Sequence, residues 1–284
     1  MADTPSDLTA APARPRPLRP APADAPPPAR RAPATRVKIC GITRFDDALH
    51  AVEAGAWAIG MIFWPGSRRR IAVEEAQAIG AALKRQAEVA GVFVNAPLDE
   101  IERLADACQM TIVQLHGDEG PQFCAEVARR TGAKVIKAAR VRNGADVTAL
   151  RPFHTDFHLL DTYVDGTPGG TGATFDWELA RVRRAAVGER QPKLILSGGL
   201  RVDNVADAVR ATWPFAVDVA GGTEASPGRK EPALVEAFIA AAASARDEQP
   251  AEGEADEPAP APAAEAAPEP GTPDPAPTAE GHDR

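Results

Sequence analysis

The chain has 284 residues, 44% hydrophobic and 5% aromatic, and its 32 Lys and Arg against 40 Asp and Glu give a formal net charge of −8. Its three cysteines, none paired as CxxC, exclude a disulfide framework and a zinc knuckle, and no apolar run is long and charge-free enough to cross a bilayer. Nothing here calls for a membrane or nucleic-acid partner, and a cytoplasmic protein is expected.

Residues 1–35 repeat Ala, Pro and Arg without apolar periodicity and are expected to form a disordered tail. Residues 246–284 repeat Ala, Pro and acidic residues and are expected to be a second one. Between them, 36–245 is close to the ~200-residue lower end for a single (β/α)8 barrel. Along this core the strand-like runs are VKIC, AIGMIFW, VAGVFV, TIVQLHG, AKVIKAARV, FHLLDT, KLILSGG and FAVDVAGG. The helical patterns DDALHAVEAG, VEEAQAIGAALKR, LDEIERLADACQ, PQFCAEVARRTG, a weak NGADVTALRP, FDWELARVRRA, VDNVADAVRA and EPALVEAFIAAAASA alternate with them. Strands apolar nearly throughout, each followed by a helix, imply a parallel sheet covered by helices. Eight such units, with no GxGxxG after a central strand, predict an α/β fold of the closed (β/α)8 TIM-barrel type.

Cys108 and Cys124 fall at helical spacing with apolar neighbours and are expected to pack in the core. Cys40 differs. It ends the first strand in RVKICGIT, on the rim where barrels carry their chemistry, followed by Gly41 and by Thr43, a candidate cap for the next helix. His116, Asp161 and Asp218 also lie at or near strand ends. Taken singly, each fits an ordinary strand-exit residue as well as a functional one. The glycines of SGGL, residues 197–200, and GGTEASPG, residues 221–228, expose backbone N–H groups after strands seven and eight, where barrels bind phosphate. A phosphorylated small-molecule substrate is expected. His154 and His158 have helical metal-pair spacing, but HTDFHLL reads as a loop entering a strand and no HExxH is present, so no metal site is expected.

In this order and spacing, KICGIT, GSRRRI, GVFVN, VQLHG, LLDT, GGTGATFDW, LSGGL and PFAVDV resemble the phosphoribosylanthranilate isomerase family of tryptophan biosynthesis. The resemblance covers the core and neither tail. It implies Cys40 as general base and Asp161 as general acid of an Amadori rearrangement, without a cofactor. It also implies that Arg69, in the S-x-R-x-I motif, holds the substrate carboxylate, and that His116 and Asp218 line the pocket. Phosphate is expected on the amides around Gly198, Gly199, Gly221 and Gly222. Where the family usually has a serine-containing turn, this chain has DVAGGTE, and Arg69 is flanked by Arg68 and Arg70. A related phosphate-binding barrel, such as indole-3-glycerol phosphate synthase or another aminoaldose isomerase, is the alternative enzyme, and a non-catalytic phosphometabolite-binding barrel the alternative class. The pairing of Cys40 with Asp161 argues against both. The oligomeric expectation is a monomer or homodimer.

Overall fold

The computed structural model describes residues 35–162, 179 and 192–245. Apart from Thr35 both expected tails lie outside these residues, as do the GGTGATFDW motif and most of the helical pattern after it.

Eight parallel strands follow one another around a closed barrel: β1 (Arg36–Cys40), β2 (Ala58–Ile62), β3 (Glu88–Phe93), β4 (Ile112–Leu115), β5 (Lys134–Val141), β6 (Phe157–Thr162), β7 (Lys193–Leu196) and β8 (Ala216–Val219). Closure is made by β1 and β8, with Val37 opposite Val217 and Lys38 opposite Asp218. Described helices are α1 (Phe45–Glu53), α2 (Val73–Leu83), α3 (Leu98–Ala107), α4 (Pro121–Thr131), α5 (Gly144–Thr148), α6 (Val205–Thr212) and α7 (Pro232–Ser244). The weak NGADVTALRP pattern is the short α5, held by Asn143, whose side chain accepts from Ala145 and Asp146 N–H groups.

Strand alternation separates two cores. One set of side chains, including Val37, Ile39, Val113, Leu160 and Val217, packs outward with helix residues such as Ala48, Ile79, Leu104 and Phe238. The other set, Ala90, Ile112, Ile136, Ala138, Phe157, Leu159, Ile195 and Ala216, fills the barrel interior. At the N-terminal end of the strands Trp57 meets Phe157 and Phe215 edge-on, with centroids 5.6 and 5.2 Å apart. These rings plug the barrel floor and leave its carboxyl end as the open face.

Helix boundaries follow local chemistry. Helix α4 begins with Pro121 at its first turn and ends at Gly132, whose φ of +67° lets its N–H return to Ala128 O. Thr43 does not cap α1 as expected. Its Oγ1 donates to Gly228 O at 2.5 Å, while the first helical N–H, of Phe45, is taken by Glu75 Oε1 at 2.6 Å. Gly228 belongs to a small hairpin, β9 (Glu224–Ser226) with β10 (Arg229–Lys230), in the segment that its composition marks only as a glycine-rich loop.

Candidate active site

Cys40 is the last residue of β1 and is 6% exposed. Alternation places Lys38 on the same face, one step deeper, and it is wholly buried. Its Nζ donates to Asp218 Oδ1 at 2.7 Å across the β1–β8 seam, and Ser197 Oγ donates to Asp218 Oδ2 at 3.3 Å. Burial pulls the Lys38 ammonium down, but Asp218 and Cys40 outweigh it and hold Lys38 well above the usual lysine range. For Cys40, burial pushes the thiol up, with Lys38 and Lys230 pulling it down and Asp218 opposing them.

Asp161 is the penultimate residue of β6, three strands from Cys40 around the barrel. Its Oδ2 lies 3.5 Å from His116 Nε2. His116 leaves β4 with its N–H on Phe93 O, and its Nδ1 lies 3.4 Å from Gln114 Nε2. Gln114 thus meets the ring at Nδ1, and Nε2 is the nitrogen that faces Asp161. Burial, reinforced by Arg140, lowers His116 to about 4, so the ring is neutral at pH 7. The Gln114 Oε1 is buried with no hydrogen-bond partner among the described residues, a state that costs ~1–3 kcal/mol and makes it an acceptor for a ligand.

Arg69 is reached through the chain after β2. Of the three consecutive arginines, Arg68 and Arg70 are exposed and Arg69 is turned inward. Its Nε and Nη2 grip Glu224 at 2.9 and 2.8 Å, and the Glu224 side chain is only 3% exposed. Although burial opposes it, Arg69 and Lys230 keep the Glu224 carboxyl below its usual range. Lys230 Nζ also donates to Ala220 O at 2.8 Å, tying the hairpin to the turn after β8.

Two glycine loops complete the rim. Gly198 and Gly199 have φ of +92° and +62°, and Gly221–Thr223 form a 3₁₀ turn whose opening amides have no partner one turn back. Gly222 has a steric reason: a Cβ there would lie 2.1 Å from Leu200 O, so the loops touch backbone to backbone. Thr223, the hydroxyl that DVAGGTE adds, is fully buried and donates to Ala220 O at 3.1 Å. That hydroxyl locks the turn instead of facing a ligand.

All nine expected residues, Cys40, Arg69, His116, Asp161, Gly198, Gly199, Asp218, Gly221 and Gly222, line one cavity of about 770 Å³. Asp218 lines it while committed to Lys38. Gln114, Arg140, Ser197 and Glu224 line it too, although nothing in the sequence singles them out. His158 is buried in β6, its Nε2 donating to Phe153 O at 2.8 Å. Cys108 and Cys124 are buried, as expected. Among the described residues no group of three His, Cys, Asp or Glu is arranged to hold a metal ion, and no helix is long and apolar enough to cross a membrane.

The family model of N-(5'phosphoribosyl)anthranilate (PRA) isomerase matches residues 37–241. The chain belongs to that family. Its members include the N-(5'-phosphoribosyl)anthranilate isomerase of Citrifermentans bemidjiense, 47% identical over 208 residues that are 73% of this chain and 97% of the relative. That of Geobacter metallireducens is 48% identical over 204 residues, 72% and 96% of the two chains. The crystal structure of the Thermotoga maritima phosphoribosyl anthranilate isomerase superposes with a TM-score of 0.66 at 42% identity, covering 73% of this chain and 98% of that one. A family structure in complex with reduced 1-(o-carboxyphenylamino)-1-deoxyribulose 5-phosphate superposes at 0.64 and 41% identity, with coverage of 73% and 98%. The chain is thus an isomerase of tryptophan biosynthesis on a TIM barrel.

Proposed function

We propose that this chain performs the Amadori rearrangement of N-(5-phosphoribosyl)anthranilate to 1-(2-carboxyphenylamino)-1-deoxyribulose 5-phosphate, with Asp161 as general acid and Cys40 as general base. The supporting observation is the convergence of a strand-end thiol, a strand-end carboxyl, an inward arginine and two glycine loops on one cavity.

Asp161 donates a proton to the furanose ring oxygen, and the C1′–O bond breaks to give the open iminium. The Cys40 thiolate takes the proton from C2′, leaving an enolamine and a thiol, and the enolamine tautomerises to the aminoketose. No electron leaves the substrate, so the isomerisation needs no external oxidant. Arg69 receives the anthranilate carboxylate on the guanidinium edge, Nη1 and Nη2, next to the one held by Glu224. The phosphate takes the amides around Gly198, Gly199, Gly221 and Gly222. His116, neutral, sets its ring beside Asp161, with Nε2 3.5 Å from Oδ2, and orients it.

The protein works in the cytoplasm, where its three unpaired thiols stay reduced. Its assembly is a monomer or a homodimer, which light scattering distinguishes.

The decisive assay mixes freshly generated phosphoribosylanthranilate with purified protein and follows its fluorescence, with mass spectrometry of the product. Cys40→Ser and Asp161→Asn are each expected to lose at least a hundredfold in kcat with KM within a few-fold. Wild-type-like turnover by either variant removes that residue from its role. A folded wild type that leaves the substrate unchanged overturns the reaction itself.

A further inference from the structure

We propose that Lys38 is a positioning residue for the isomerisation: its ammonium, fixed by Asp218 beneath the rim, is the built-in positive charge that stabilises the Cys40 thiolate. The inference rests on Cys40 as the base.

The geometry begins at Gly60, which is opposite Cys40 in the β1–β2 register. A Cβ on Gly60 would lie 2.8 Å from Cys40 Sγ and 2.9 Å from Lys38 Nζ. Sulfur and ammonium therefore converge on the space that a single methyl group would fill, and the missing side chain is what lets them face each other.

Lys38 has no structural need to be charged. Elsewhere the barrel interior is packed by apolar residues such as Ile112, Ile136 and Leu159. Replacing a buried ion pair by apolar residues of similar volume is often neutral or stabilising. A lysine with its carboxylate partner thus costs desolvation that packing alone does not require. Nor is Lys38 a base in its own right, because Asp218 keeps it an ammonium.

The charged groups around the sulfur come from four elements. Lys38 lies below it on β1, Asp218 beside it on β8, Lys230 approaches from β10, and Arg69 from the chain after β2. Lys230 and Arg69 are both bound to Glu224 on β9. Counting Glu224 with the two cations it binds, three cations stand against two carboxylates, an excess of one formal positive charge, and Lys38 is the cation among them that is wholly buried. Asp218 is accordingly the group that holds the ammonium under the sulfur, and Ser197 braces its other oxygen.

The test reads Cys40 directly. Wild type, Lys38→Met and the pair Lys38→Met/Asp218→Leu are alkylated with iodoacetamide from pH 6 to 10, and modification of the Cys40 peptide is followed by mass spectrometry. Circular dichroism checks the fold, and the double variant removes the unpaired Asp218 that Lys38→Met alone leaves buried. The expected result is a Cys40 titration displaced to higher pH in both variants, at least tenfold slower alkylation at pH 8, and a matching loss of kcat with KM within threefold. A folded double variant alkylated at the wild-type rate with wild-type kcat overturns the proposal and leaves Lys38 a space-filler. Turnover by Cys40→Ser would instead refute the base assignment, whatever the alkylation profile, so the two failures are told apart.

Discussion

At the scale of single residues, the site depends on charges that restrain one another. Glu224 is the clearest case, since it holds Arg69, Lys230 and the Gly228 N–H together while almost wholly enclosed. Glu224→Gln keeps the shape but removes the carboxylate that fixes Arg69, so the guanidinium is expected to lose its aim at the substrate carboxylate. We expect a rise in KM of about tenfold, corresponding to ~1.4 kcal/mol, with a smaller change in kcat; an unchanged KM in steady-state assays would detach Glu224 from substrate binding. Neither Glu224 nor Lys38 is legible in the sequence. Glu224 lies in a segment with the composition of a turn, and Lys38 has the pattern of an ordinary polar residue in a short strand, because its partner lies 180 positions away. The places of Cys40, Asp161, Gly198 and Gly199 on the cavity are legible because strand ends and positive-φ turns leave local signatures.

At the scale of elements, the eight strands are readable because each is a short apolar run bounded by turn residues. The β9–β10 hairpin is not, since Glu224–Ser226 and Arg229–Lys230 are short, polar and without alternation. Its existence depends on tertiary anchors: Thr43 on Gly228 O, Asp47 Oδ2 accepting from Lys230 N–H, and Lys230 on Ala220 O. Helix ends offer a separate test. Gln109, just after α3, has φ +50°, a left-handed conformation that disfavours any residue with a Cβ. Gln109→Gly relieves that cost, and a gain of up to ~1 kcal/mol is expected in urea unfolding. A loss of stability would mean that the Gln109 side chain contributes more than its backbone costs.

At the scale of the whole molecule, the family match ends at residue 241, and relatives align over 96–97% of their own lengths to little more than 200 residues of this chain. We propose that 36–245 is the complete catalytic unit. A chain reduced to those residues is expected to keep kcat/KM within twofold, and a marked loss would give the flanking segments a part in catalysis.

The Lys38–Asp218 seam also bears on how the protein is made. The first strand leaves the ribosome carrying a charge that cannot be buried until the last strand arrives, 180 residues later. At ~5–20 residues per second, that interval is roughly 10–40 s. Until then, shutting Lys38 inside an incomplete sheet would strand an unpaired cation, at a cost of several kcal/mol. The nascent chain is thereby discouraged from sealing around seven strands, and synthesis of β8 becomes the event that both finishes the wall and brings the counter-charge beside the nucleus of its chemistry.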